Sequence, residues 1–110
     1  MNRLKGIPGG NSGNQNAGDG SNRIIITVIG PDRVGIIAAV SNLLADNNIN
    51  ILDISQTIMQ EFFVMVLVAD MEKAAVDLVS LKDLLHGKGE ELQVRIDAQH
   101  ENVFNFMHRI

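Results

Sequence analysis

The stretch that decides the fold is Gly30-Pro31-Asp32-Arg33-Val34-Gly35-Ile36, which separates two segments of different periodicity. The six residues before it, Ile24 to Ile29, are mostly β-branched and predict a buried strand. The residues after it repeat apolar side chains at helical spacing as far as Asp46. The stretch is therefore predicted to be the turn between a strand and a helix.

A strand-to-helix turn of this kind can hold an anion. The first N–H groups of a helix have no partner within it and lie at the positive end of its dipole, so a carboxylate or phosphate can bind there. We expect Gly30 to adopt a backbone conformation that a β-carbon would forbid. Gly35 either permits close approach to the helix start or is required for its own conformation.

Composition indicates one small domain and excludes several classes of function. The chain has 110 residues, 45% of them hydrophobic, and a formal net charge of −4. It has no lysine/arginine cluster typical of a nucleic-acid surface, no cysteine, and no apolar run long enough to cross a membrane. Its three histidines are scattered, so we expect no metal site. We also expect no cofactor, no nucleic-acid partner and no membrane partner. These features favour a cytoplasmic protein.

The first 22 residues differ in composition from the rest of the chain. They hold six of the ten glycines and five asparagines, with few apolar residues. Such a segment cannot bury enough surface to offset its chain entropy, so we predict that residues 1–22 are disordered. Residues 23–110 are predicted to form a single domain.

The remaining pattern predicts three further strands and two further helices. The second strand alternates polar and apolar residues, whereas the third is apolar on both faces. Asp70 is the expected N-cap of the second helix, and Gly87 or Gly89 its end. The predicted elements are a strand at Ile49–Met59, a turn at Gln60–Glu61, a strand at Phe62–Ala69, a helix at Met71–Lys88, a strand at Glu91–Gln99 and a short helix at Glu101–Ile110.

The order β-α-β-β-α-β predicts an α+β fold, the ferredoxin-like sandwich, with a four-stranded antiparallel sheet and both helices on one face. In this fold the first and third strands are central, which agrees with their continuous hydrophobicity. The helices cover only one face of the sheet. The apolar residues of the central strands on the other face therefore predict a homodimer, because a second copy could cover them.

The chain resembles an ACT domain, a small regulatory module that binds amino acids. The resemblance rests on the glycine-flanked turn, on Asp53-Ile54-Ser55-Gln56 in the second strand, and on the element order. It is closest to the free-standing bacterial UPF0237 proteins, which also end in a short helix, and it covers about Ile24 to Ile110. ACT domains usually regulate an enzyme or DNA-binding domain fused to them, so a solitary one implies a separate regulated protein.

The resemblance also implies a homodimer and a ligand, a small amino acid or other compact carboxylate, held near an interface. Asp32, Gly35 and Ile36 match the ligand-contacting turn, and the segment from Asn48 to Ile51 matches the part that closes over it. The full candidate ligand site comprises Gly30, Asp32, Arg33, Val34, Gly35, Ile36, Asn48, Ile49, Asn50 and Ile51.

Simpler interpretations stand beside these roles. Arg33 could clamp a ligand anion or be a solvated charge, and Asp32 could accept from a ligand amino group or cap the helix. The polar face formed by Asp53, Ser55 and Thr57 could line a pocket or mark a solvated edge strand.

Two other functions share this element order. An acylphosphatase-like hydrolase would use the turn as an anion cradle with Arg33, but the third strand lacks the asparagine that would orient water. An RNA-binding domain would need stacking aromatic residues on its central strands and a basic face. The sequence has no tyrosine or tryptophan, and Phe62-Phe63 lies at a hairpin without basic residues around it. The sequence favours a non-catalytic sensor.

Overall fold

The computed structural model describes residues 22–31 and 34–107, with side chains as far as Asn105. The predicted disordered tail therefore lies outside the described residues, apart from Asn22, and so does the end of the last predicted helix. The described elements are β1 (Arg23–Pro31), α1 (Ile36–Asp46), β2 (Asn50–Met59), β3 (Phe62–Asp70), α2 (Leu78–Leu92), β4 (Arg95–His100) and α3 (Glu101–Met107).

The four strands form one antiparallel sheet in the order β2-β3-β1-β4. The ferredoxin-like prediction is confirmed, with the two continuously apolar strands at the centre and the two alternating strands at the edges. The core lies between the sheet and the helices α1 and α2, because alternate side chains of β1 and β3 point to that face. It contains, among others, Ile24, Ile26, Val28, Ile36, Val40, Leu44, Met65, Leu67, Leu81, Leu85 and Ile96.

Two tight connections occur where the sequence predicts them. The hairpin between β2 and β3 turns at Gln60 and Glu61, and Gln60 has a φ of 58°. Helix α1 ends at Asp46, and Asn48 follows in the left-handed conformation with a φ of 60°. Asparagine adopts this conformation more readily than most residues, which explains its position after the helix.

Helix α2 starts seven residues later than predicted. Its N-cap is Asp77, whose carboxylate accepts a hydrogen bond from the backbone N–H of Ser80 at 2.8 Å. Asp70, the predicted cap, instead accepts from the backbone N–H of Glu72 at 2.9 Å in a local turn. Aspartate can cap a helix or close a local turn by accepting from a backbone N–H two or three residues ahead, and only the bond at Asp77 is followed by helix.

The end of α2 also differs from the prediction. Gly87 and Gly89 lie inside the helix, and the left-handed residue that terminates it is Gln93, with a φ of 62°. A β-carbon on Gly89 would lie 2.7 Å from the carbonyl oxygen of Val94, so this glycine permits close packing rather than ending the helix. Strand β4 consequently begins at Arg95 instead of Glu91.

Helix α3 folds onto the sheet face opposite α1 and α2. Phe104 lies beside Ile25, Thr27 and Val66 there, and Ile25 is only 7% exposed. The expectation that one chain has nothing to cover this face is therefore wrong for the part beneath α3. Apolar side chains remain exposed near the hairpin, where Met59 is 60% and Phe62 52% exposed.

None of the described helices is both long and apolar enough to span a lipid bilayer.

Candidate functional site

The start of α1 is open to solvent. Its N-cap is Gly35, and no side chain of the described residues caps it. The backbone N–H of Ala39 donates to the Gly35 carbonyl at 2.9 Å, which is the first bond of the helix. The N–H groups of the first helical turn have no acceptor among the described residues. These donors can bind an anion, and the candidate residues Asp32 and Arg33 lie just outside the described residues.

The structure overturns the expectation for Gly30 and favours the conformational alternative for Gly35. Gly30 is a buried residue of β1 without a positive φ, and a β-carbon there would lie 2.7 Å from Cγ1 of Val94. Gly30 is thus required for packing against the α2–β4 connection. Gly35 has a φ of 90°, which L side chains rarely adopt, and open space surrounds the position of its missing β-carbon.

The other two described candidates in the turn point in different directions. Val34 is fully exposed, whereas Ile36 is buried in the core. A ligand at this turn could therefore contact Ile36 only through its backbone N–H group. Val34 offers an apolar side chain at the rim.

The second half of the candidate site, from Asn48 to Ile51, follows α1. The side-chain amide of Asn48 donates to the Lys73 carbonyl at 2.7 Å, and Ile49 is part of the core. Ile51 is half-buried against that core. Asn48 and Asn50 are both exposed, and within the described residues the Asn50 side chain forms no hydrogen bond. It borders a cavity of about 460 Å³ that is lined by Ala45, Asn48, Ile49, Asn50, Asp70, Glu72 and Lys73.

One protomer does not bring the two halves of the candidate site together. They lie at opposite ends of α1, whose 11 residues span about 16 Å. The sheet register gives the same separation: Asn50 pairs with Asp70 at one end of the sheet, and Pro31 pairs with Phe62 at the other.

The free edge of β2 carries apolar residues that the sequence analysis did not single out. Asp53, Ser55 and Thr57 share one face, opposite valines of β3, as predicted. The exposed apolar residues lie between and beyond them, and Asp53 is the one charged residue of the strand. In the sequence, Ile58-Met59 before the hairpin and Phe62-Phe63 after it indicate this apolar surface. Its members are Leu52, Ile54, Ile58, Met59 and Phe62.

The charged groups of the described residues form no catalytic constellation. Among residues 22–31 and 34–107, no three histidine, aspartate or glutamate side chains are grouped to hold a metal ion. The hydrogen bonds from Ser80 hold the pKa of Asp77 below its usual value, but this carboxylate is a helix cap. Arg95 Nε contacts Asp97 Oδ2 at 3.1 Å on the exposed side of β4.

This geometry can bind a small ligand through backbone donors, and the family comparison agrees with a binding module. The family model described as an ACT domain matches residues 22–99. The chain belongs to the ACT-domain family. A UPF0237 protein of Methanocaldococcus jannaschii is 52% identical over 80% of this chain and 98% of its own length.

Solved structures of ACT-domain relatives share the architecture. An ACT domain protein from Streptococcus pneumoniae has a TM-score of 0.68 and 38% identity, over 74% of this chain and 92% of its own. A formyltetrahydrofolate deformylase from Pseudomonas syringae has a TM-score of 0.66 and 27% identity, over 73% of this chain but only 28% of its own. The same fold therefore occurs both in small proteins and as a minor part of a larger enzyme.

Proposed function

We propose that this ACT domain is a non-catalytic sensor that binds a small amino acid, or another compact carboxylate, and regulates a separate protein. The observation that carries the proposal is the start of α1, where the first-turn N–H groups have no acceptor among the described residues. Membership of the ACT-domain family supports it.

The ligand carboxylate would accept hydrogen bonds from the first-turn N–H groups that follow Gly35. Asp32 would accept from the ligand's amino group, and Arg33 would attract the anion at longer range. Val34 would contact the ligand side chain from the rim of the site. A compact ligand fits this arrangement because the donors come from a single helical turn.

Two protomers would complete the site, and the free edge of β2 is the interface that we propose for the homodimer. Antiparallel pairing of two β2 strands, centred on Ser55 and passing over the bulged residue Leu52, would place Asn50 beside the partner's Met59. Met59 lies at the sheet end that carries the Pro31–Gly35 turn, because its partner Phe62 pairs in turn with Pro31. A two-fold axis at this edge would thus bring Asn50 of one protomer towards the turn of the other.

The character of the β2 edge favours such pairing. Soluble proteins commonly protect edge strands with lysine, proline or inward-pointing charges. Strand β2 has no lysine or proline, and its exposed apolar residues would be covered by a second copy. Residual exposed apolar surface near the hairpin would be buried at the same interface.

Calorimetric titration of the full chain with each proteinogenic amino acid tests the proposal. We expect saturable binding of at least one amino acid, and loss of that binding in Ile58→Lys, which charges the edge. Val79→Lys is the matched control, because Val79 is 70% exposed on α2, far from the edge.

The two parts of the proposal fail separately. If no amino acid binds at millimolar concentration, the sensor function is wrong. If Ile58→Lys is monomeric by sedimentation and still binds as the parent does, the ligand site is real but is not shared between protomers.

A further inference from the structure

A second cavity lies on the sheet face opposite α1 and α2, beneath α3. Its volume is about 340 Å³, within the range of small-molecule pockets. Three strands form its floor and α3 forms its wall. The lining residues are Ile25, Thr27, Val66, Asp97, Gln99 and Phe104.

The polar groups of this cavity converge on one spot. Thr27 pairs directly with Val66 on one side and with Asp97 on the other, and Ile25 pairs with Gln99. Directly opposite residues place their β-carbons about 5 Å apart. The Thr27 hydroxyl, the Asp97 carboxylate and the Gln99 amide therefore surround a common volume.

Two of these polar groups have no side-chain hydrogen-bond partner among the described residues. Thr27 and Gln99 are half-buried, and neither side chain forms a hydrogen bond with any residue in the described part of the chain. Thr27 is also the single polar residue in a strand segment of isoleucine and valine, from Ile24 to Ile29. Where no protein group reaches a half-buried polar side chain, water or a ligand can supply its hydrogen-bond partner.

We infer that this cavity binds a small primary amine with a short apolar body. An ammonium group has three N–H donors, and the cavity offers acceptors on Thr27, Asp97 and Gln99. Asp97 contributes the carboxylate of the lining, with Arg95 Nε 3.1 Å from its Oδ2 and His86 Nε2 3.7 Å from its Oδ1. The apolar body of the ligand packs against Ile25, Val66 and Phe104.

Helix α3 connects this site to the rest of the domain. It starts directly after β4 and is held by the ion pair between Arg23 Nε and Glu101 Oε2 at 3.4 Å. A ligand beneath Phe104 adds contacts to a helix of only seven residues. Binding should therefore slow hydrogen exchange in α3, which distinguishes this site from the turn at Gly35.

The test is a titration of the ¹⁵N-labelled full chain with isoamylamine, followed by amide chemical shifts. We expect saturable shifts at Thr27, Gln99 and the α3 amides, and a Kd raised about tenfold in Thr27→Val, which removes one hydrogen-bond partner with little change of shape. Thr57→Val is the matched control: it removes a threonine hydroxyl from the same sheet face, but on β2.

Isopentanol is the neutral probe of the same shape and should bind at least tenfold more weakly than isoamylamine. Equal binding by Thr27→Val and Thr57→Val overturns the assignment, as does an absence of saturable shifts at millimolar amine. Shifts centred on Gly35 and Asn50 also overturn it, because the amine would then use the other site. Asp97→Asn provides a second weakened variant if Thr27→Val does not fold.

Discussion

Gly30 and Val94 pack so closely that a β-carbon on Gly30 would lie 2.7 Å from Cγ1 of Val94. Gly30 is the second-last residue of β1, next to the strand-to-helix turn, and Val94 lies between α2 and β4. The contact therefore fixes where the turn starts relative to the second helix, and it can be tested by enlarging one residue and trimming the other.

Gly30→Ala should destabilise the fold by about 1–3 kcal/mol, the usual cost of overpacking. Val94→Ala in the same chain should recover part of that loss, because the nearest clashing atom belongs to the Val94 side chain. Gly89→Ala is the control, since its β-carbon would meet the Val94 carbonyl oxygen, which the trimmed side chain leaves in place. Chemical denaturation of the three single and two double variants measures this. Equal recovery for Gly30 and Gly89 would contradict the contact.

Gly35→Ala should lower stability by about 1–2 kcal/mol, because its φ of 90° is unfavourable for any residue with a β-carbon. The comparison is Gly87→Ala, at an open position inside α2, which should stabilise the domain by about 0.5–1 kcal/mol. Thermal unfolding followed by circular dichroism gives both values. A Gly35→Ala midpoint above that of the parent would show that the turn does not need this conformation.

Replacing Asp77 by alanine should destabilise α2, whereas asparagine should preserve the cap. The folded pKa of Asp77 lies below its usual value of 3.8, so its contribution to stability is present above pH 3.8 and is lost as the pH falls through the lower folded pKa. The free energy of unfolding of the parent exceeds that of Asp77→Ala by an amount that should therefore shrink on acidification. The corresponding difference between Asp77→Asn and Asp77→Ala should persist. A stability difference between the parent and Asp77→Ala that does not change with pH would contradict a cap that depends on the carboxylate charge.

Complementation tests whether the ligand site is shared between protomers. Asp32→Ala and Asn50→Ala should each abolish amino-acid binding when studied alone. After subunit exchange, half of the dimers are mixed and each contains one intact site, so about a quarter of the binding capacity should return. Calorimetric stoichiometry of the mixture measures it. No recovery in a mixture with demonstrated exchange would place Asp32 and Asn50 in the same protomer's site, or outside it.

The sheet could be predicted from the sequence because burial leaves a direct pattern in each strand. The central strands are apolar throughout, and the edge strand from Asn50 alternates, which fixes their order in this fold. The start of α2 could not be predicted in the same way. Ala74, Leu78 and Leu81 continue the helical spacing across the true boundary at Asp77, so the periodicity does not reveal where the helix begins.

The candidate site was predicted less completely than the sheet, because the sequence does not show how far α1 separates the two halves of the site. Sequence motifs identified the turn at Gly35 and the segment at Asn48, but they did not show that α1 holds these apart. The sequence placed Ile58 and Met59 in a strand but did not show that their side chains are exposed. The pattern of one strand does not reveal which of its apolar side chains a neighbouring element covers.

The unprotected edge of β2 has one more consequence. A strand edge recognises backbone geometry and alternate side chains, and a short peptide can supply both. A synthetic peptide with the sequence of Asn50–Met59 would present to that edge the same hydrogen-bonding pattern as a second protomer. The chain thus contains, within ten consecutive residues, the template for a competitive inhibitor of the homodimer that we propose.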